Sequence, residues 1–161
     1  MCIRDSHETK DTYEVAITAT DGNGGSTTIP VTISVTNVNE APTFATAITT
    51  RAIAENTDSG QNIGPAITAT DPDRGDTLTY SLSGTDAASF DIVGTSGQLQ
   101  TSAALDYATD DAYEVTVTAT DSGNLTDTIT VTINVTNVNE APTFATSLLS
   151  LIHISEPTRP Y

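Results

Sequence analysis

The chain has 161 residues, 37% of them apolar, and 21 acidic against five basic side chains give it a formal charge of −16. So acidic a chain does not favour nucleic acid or anionic lipid, and its self-repulsion weakens the compact state unless cations are supplied. Its single cysteine, Cys2, excludes a disulfide framework and any cysteine-based metal site.

The two ends are read apart from the rest. Met1-Cys2-Ile3-Arg4-Asp5-Ser6 can be encoded by atgtgtataagagacag plus one base. The reverse complement, ctgtctcttatacacat, encodes Leu149-Ser150-Leu151-Ile152-His153 and opens the codon for Ile154. The string resembles a transposon adapter used in sequencing-library preparation. Residues 1–6 and 149–161 are therefore expected to be translated adapter around a gene fragment. The apolar run 148–154 is shorter than the roughly 20 residues that a membrane-spanning helix needs. Setting Arg4, Asp5, Glu156 and Arg159 aside leaves 19 acidic residues against Lys10, Arg51 and Arg74. A secreted domain of ~100 residues buries an adequate core without disulfides.

Residues 7–40 read as the last part of one module. The stretch 13–20 alternates β-branched and small residues, the pattern of a strand. Asp21-Gly22-Asn23-Gly24-Gly25-Ser26 is a turn, because Gly and Asn tolerate the positive φ that hairpins need. The stretch 27–36 alternates again, with Ile29, Val31, Ile33 and Val35 on one face. Together these form the closing hairpin of a sandwich.

Residues 41–140 read as one complete module, with strands near 44–53, 65–70, 77–83, 89–93, 97–101, 112–120 and 126–136, the first of them open to a break with 52–55 as its last part. Seven short strands with turn signals between them and no helical period predict an all-β, antiparallel sandwich. Phe44, Tyr80, Phe90 and Leu99 are the expected core anchors. Residues 141–148 begin a further module.

The two modules are copies at an offset of 100 residues: Tyr13-Glu14-Val15 returns as Tyr113-Glu114-Val115, and Thr18-Ala19-Thr20-Asp21 as Thr118-Ala119-Thr120-Asp121. Asn37-Val38-Asn39-Glu40-Ala41-Pro42-Thr43-Phe44 returns as Asn137-Val138-Asn139-Glu140-Ala141-Pro142-Thr143-Phe144. A fixed period of domain size marks a tandem array, and this octapeptide is its joint.

Acidic groups gather where strands end: Glu55, Asp71 and Asp73, Asp106 and Asp121, joined by Asn137, Asn139 and Glu140 of the linker. A hard cation such as Ca²⁺ takes six to eight oxygen ligands, more than one strand end can supply but not more than several meeting a linker. Asp71-Pro72-Asp73-Arg74-Gly75-Asp76 begins like an EF-hand loop, yet its twelfth position is Leu82 where a bidentate Glu is required. Asp21-Gly22-Asn23-Gly24-Gly25 is like one Gly-rich Ca²⁺ nonapeptide, and a single copy cannot build that roll. His7 is the only histidine outside the adapter-like ends, and no nucleophile–His–acid set can be assembled, so no enzyme is expected. Asn124-Leu125-Thr126 and Asn134-Val135-Thr136 match the glycosylation pattern, which has meaning only in a eukaryotic secretory pathway.

The order Glu55-Asn56, Asp71-x-Asp73, Leu105-Asp106-Tyr107, Ala119-x-Asp121 and Asn137-Val138-Asn139-Glu140-Ala141-Pro142-x-Phe144 resembles a cadherin repeat, of the Thr- and Asp-rich kind in large bacterial surface proteins. The resemblance covers 41–140 and the tail 7–40. It implies a seven-stranded Greek-key sandwich of the immunoglobulin-like cadherin type in tandem, with Ca²⁺ between modules. The inner junction would use Glu8, Asn37, Asn39 and Glu40 with Asp71, Asp73 and Asp121. Glu55, Asp106, Asn137, Asn139 and Glu140 would serve a second, incomplete junction, and Asp21 one further upstream. Ala108 stands where the family has a Glu, Ser6 and Asn37 and Asn137 where it has Asp, and Ala41 and Ala141 where it has Asn. Fewer charged ligands place the expected affinity near the extracellular-module range, ~10⁻⁴–10⁻³ M.

The function so implied is a calcium-binding module of a cell-surface adhesion protein, anchored to membrane or wall. Carboxylate repulsion would leave the joint loose without cations, and Ca²⁺ would stiffen it into a rod. The expected partners are adjacent repeats of the same chain and, by homophilic adhesion, a second copy or another surface protein, with no nucleic acid and no direct membrane insertion. The alternatives are a passive stalk spacer and an accessory module beside a secreted enzyme.

Overall fold

The computed structural model describes residues 7–46 and 48–143, so the adapter-like ends and 144–148 lie outside the described residues. Strands β1 (Thr12–Thr20) and β2 (Ser26–Ser34) form an antiparallel hairpin with Val15 opposite Val31 and Ala16 opposite Pro30. Val35 N–H donates to Asp11 O at 2.8 Å, so the odd-numbered residues of β2 bond to β1 and the even-numbered ones turn their N–H groups outward. Pro30 is even-numbered. Its missing N–H therefore falls on the open edge of β2 and removes nothing from the ladder.

Residues 41–140 carry eight strands: β3 (Thr43–Phe44), β4 (Ile48–Ala54), β5 (Ala69–Thr70), β6 (Thr79–Ser83), β7 (Phe90–Val93), β8 (Gln98–Thr101), β9 (Ala112–Thr120) and β10 (Thr126–Thr136). A single 3₁₀ turn, Ala87–Ser89, precedes β7. One sheet has the order β4-β10-β9-β6; the pairs β3-β5 and β7-β8 make up the facing layer. The sandwich is thus all-β, as its alternation predicts. The first strand is broken, an option the sequence reading leaves open, and one pairing is parallel where antiparallel strands are expected. The first strand breaks after Phe44: β3 pairs with β5 in one layer, and β4 then crosses to the other, a corner that lets one strand serve both sheets. There β4 runs parallel to β10, Ile48 beside Thr130 and Ala54 beside Thr136. Alternation reports which face a residue takes but not the direction of the neighbouring strand, so this was not readable in advance.

The expected strand at 65–70 shortens to Ala69–Thr70. Ahead of it the chain still runs along β8, with Ile63 N–H donating to Leu99 O and Ile67 N–H to Gly97 O. Gly64, at φ 65°, interrupts that run. Gly97 is needed for space as well as for its φ of 69°, since a Cβ there would lie 2.1 Å from Ile67 O.

Odd-numbered residues of β9 and β10 point inward, and Val115, Val117, Ile129, Val131, Ile133 and Val135 pack on Ile63, Ile67, Phe90 and Leu99. Phe90 meets Tyr113 edge-on at 5.4 Å, joining the two layers. Thr101 is a buried polar group with its bonds made, donating to Asp58 O at 2.7 Å and accepting from Gln61 N–H at 3.0 Å. Phe44 and Tyr80, expected in the centre, flank the core instead. Phe44 lies on the two-residue strand β3, and the Tyr80 hydroxyl reaches out to accept from Ala69 N–H at 3.1 Å.

The hairpin β1–β2 offers an internal comparison. Ile33 is 50% exposed, whereas Ile133, its equivalent 100 residues on, is 0% exposed. Val15, Ile17 and Ile29 differ in the same way from Val115, Val117 and Ile129. Among the described residues no second sheet covers the odd-numbered face of β1–β2. The same truncation should therefore weigh differently at the two sites. Ile133→Ala is expected to destabilise the sandwich by about 2–5 kcal/mol, and Ile33→Ala by less than about 1 kcal/mol, in urea denaturation.

Candidate metal centre

The acidic side chains sit where they do because each first completes its own turn. Asp71 accepts from Asp73 N–H at 2.8 Å through Oδ1. Asp121 accepts from Leu125 N–H at 2.7 Å through Oδ1, as Asp21 accepts from Asn23 N–H at 2.9 Å and Gly25 N–H at 2.7 Å. Such Asx bonds account for one oxygen of each carboxylate. The other oxygens differ. Asp121 Oδ2 accepts from the Asn39 amide at 2.8 Å, and Asp71 Oδ2 is buried with no hydrogen-bond partner. Asp73, 8% exposed, faces the linker with both oxygens, Oδ1 toward Asn37 Nδ2 at 2.9 Å and Oδ2 toward Glu40 N–H at 2.7 Å.

Two carboxylate groups result. Glu8, Glu40 and Asp73 each offer an oxygen within 4.8 Å of the others, and so do Asp71, Asp76 and Asp121. The structure therefore brings together every residue expected at the inner junction: the five acidic ones fall into these two groups, and Asn37 and Asn39 bond to members of them. It adds Asp76, which the sequence reading passed over. Asp76 N–H donates to Asp73 O at 3.1 Å, and Gly75, at φ 91°, turns the chain back so that Asp76 returns beside Asp71. An acidic residue three places after Asp73, across a glycine, was the available signal. The Ser122 hydroxyl and Thr77 N–H hold the Asp76 carboxyl below its ordinary range. Its share of stability is therefore present above the unfolded value and lost as pH falls through the lower folded one. At Asp21, N–H groups of Asn23 and Gly25 have the same effect.

The second set is arranged otherwise. Among the described residues Glu55, Asp106, Asn137, Asn139 and Glu140 do not gather into such a group. Glu55, 7% exposed, is a clamp, accepting from Val138 N–H at 2.6 Å and Tyr107 N–H at 3.0 Å. The neighbouring Asn56, at φ 60°, donates to Glu140 Oε1 at 2.6 Å. Asp106 is exposed and gives both oxygens to its own turn, to Ala108 N–H at 2.8 Å and the Thr109 hydroxyl at 2.9 Å. The residue equivalent to Glu8 here is Ala108, which brings no carboxylate.

The inner junction fits a hard divalent cation. Its donors are oxygens, they are crowded on two sides of a linker, and one of them, Asp71 Oδ2, is buried without a partner that only a cation or a donor could supply.

A β-sandwich with acidic strand ends docked on an Asn- and Glu-bearing linker that recurs every 100 residues is the architecture of a tandem-repeat module. The chain belongs to the cadherin family: the Cadherin domain model matches residues 49–136, more than half of its length. It is 35% identical to human Protocadherin-16 over 153 residues, 89% of this chain but only 5% of that protein. Among solved structures it is similar to protocadherin gamma B7 extracellular cadherin domains 1–4, at TM-score 0.73 and 27% identity, covering 83% of this chain and 34% of that one. It is also similar to domains EC22–24 of mouse cadherin-23, at TM-score 0.72 and 29% identity, covering 83% of this chain and 44% of that one.

The clamp makes a direct prediction. Glu55→Gln turns one buried acceptor into an amide N–H facing a backbone N–H. It is expected to cost about 1–3 kcal/mol in chemical denaturation with chelator present. Asp106→Asn, in solvent, is expected to cost less than about 1 kcal/mol.

Proposed function

We propose that this chain is a calcium-binding stretch of a cadherin-like adhesion protein displayed outside the cell, in which the cation sets the angle between successive repeats. Residues 7–40 close one repeat, 41–140 form the next, and 141–148 open another. The observation that carries the reading is the paired carboxylate groups of the inner junction, with Glu8 and Glu40 from one repeat and its linker, and Asp71, Asp73, Asp76 and Asp121 from the next.

When bound, Ca²⁺ supplies positive charge that several carboxylates can share. The residues determine what that does. Asp121 lies between β9 and β10, Asp71 and Asp73 follow β5, Glu40 lies in the linker between β2 and β3, and Glu8 precedes β1, so a shared charge ties four chain segments together. Because these segments belong to different repeats, binding free energy goes into fixing their relative direction. Repetition along an array turns this into a rod. Cadherin membership supports homophilic contact between cell surfaces as the use of that rod, with an anchor to membrane or wall.

Calorimetric Ca²⁺ titration, with thermal melting in Ca²⁺ and in chelator, tests the reading. Saturable binding with a Kd of ~10⁻⁴–10⁻³ M is expected. At ten times Kd it should add about 1.4 kcal/mol of stability, seen as a raised Tm. Asp71→Ala with Asp73→Ala should abolish both effects. No binding and no shift in the unsubstituted protein would leave a plain spacer.

A further inference from the structure

The linker's two amides already occupy the carboxylates that the cation would use. Asn37 Nδ2 lies 2.9 Å from Asp73 Oδ1, and Asn39 Nδ2 lies 2.8 Å from Asp121 Oδ2. An ionised carboxylate has no proton to give, so each amide must present its NH₂ and turn its own oxygen away. Glu40 N–H donates to the remaining oxygen of Asp73 at 2.7 Å. Gly123 completes the seat for Asn39: a Cβ there would lie 2.6–2.8 Å from the Asn39 amide atoms, so a larger residue would push that amide off its present position beside Asp121. At the other end of the module the roles are exchanged: the module's Asn56 amide donates to the linker's Glu140, and the linker's Val138 N–H to Glu55.

We infer that Asn37 and Asn39 form a latch that closes the joint on Asp73 and Asp121 without any cation. The latch has two consequences. Amide-to-carboxylate bonds are charge-assisted, so the joint keeps a defined angle where two facing carboxylates would push apart. The same bonds must be given up before those oxygens are free for Ca²⁺, so a stiffer empty joint comes with weaker cation binding. An aspartate at position 37 would reverse both, placing like charges within hydrogen-bonding distance of each other when empty and adding a charged ligand when filled. The first consequence stands on the hydrogen bonds alone; the second rests on the calcium reading.

The test is the angle of the empty joint. Spin labels on Thr32→Cys and Thr95→Cys, both exposed, report it by pulsed dipolar spectroscopy in the full chain carrying Cys2→Ser. In chelator the unsubstituted linker should give a distance distribution clearly narrower than an unlatched joint, which Ca²⁺ narrows further. Asn37→Ala with Asn39→Ala should broaden it severalfold in chelator. Gly123→Ala, which crowds Asn39 and leaves both amides in place, should broaden it too. Asn37→Asp should broaden it in chelator, narrow it again in Ca²⁺ and tighten Ca²⁺ binding roughly tenfold. A distribution in chelator as broad with the native linker as with the double alanine variant would overturn the latch. A response to the alanine substitutions with no response to Ca²⁺ in any variant would uphold the latch and remove the calcium reading.

Discussion

Each carboxylate at the inner junction has two oxygens, and how they are divided sets the architecture. Asp71 and Asp121 give one oxygen to a local turn, which fixes the side chain relative to its own strand end. The second oxygen is thereby aimed outward at a known place. Asp73 needs no such division, because Asp71 already holds its backbone N–H, and both of its oxygens face the linker. The turn chemistry and the joint are thus one device. A residue that served only the turn, as Asp106 does with both oxygens, offers nothing to a neighbour.

Only the upper half of the outer joint lies among the described residues, and it differs from that of the inner one although the two linker octapeptides are identical. The inner one has Glu8, whose carboxylate joins Glu40 and Asp73. The outer one has Ala108 in that place, and Glu55 is held by Tyr107 and Val138 N–H groups. With both oxygens accepting from backbone, Glu55 positions the linker before any partner arrives. Repeats in one chain can therefore share a joint sequence and still differ in how much charge each joint gathers.

Much of this was legible because it repeats or alternates. The 100-residue offset marked the joint, and alternation put Ile29, Val31, Ile33 and Val35 on one face, whose counterparts Ile129, Val131, Ile133 and Val135 are buried. The strand ends carrying Asp71, Asp73 and Asp121 followed from where alternation stops. What stayed hidden depends on contacts between distant segments. The parallel pairing of β4 with β10 is decided by the switch of layer between β3 and β4, and no local pattern records it. Asp76 was passed over because its role comes from a turn at Gly75 that brings it back against Asp71, not from a motif spacing. The edge-facing N–H groups of β2 are equally invisible until the register is known, and only then does Pro30 become an ordinary edge residue.

The charge balance of the joint can also be reconsidered on this footing. Six carboxylates in two groups, without cations, would favour an open linker through repulsion alone. The linker opposes this with donors and not with positive charge: two side-chain amides and the Glu40 N–H. Donors of this kind leave the net charge near the cluster unchanged, so the attraction for a cation survives while the range of angles is already restricted. A lysine in place of Asn37 would hold Asp73 more firmly but cancel the charge that a cation needs. An aspartate would do the opposite. An amide is the residue type that preserves both properties in part, and so the replacement of a family aspartate by Asn37 reads as a shift in the balance between stiffness and affinity, not as the loss of a site.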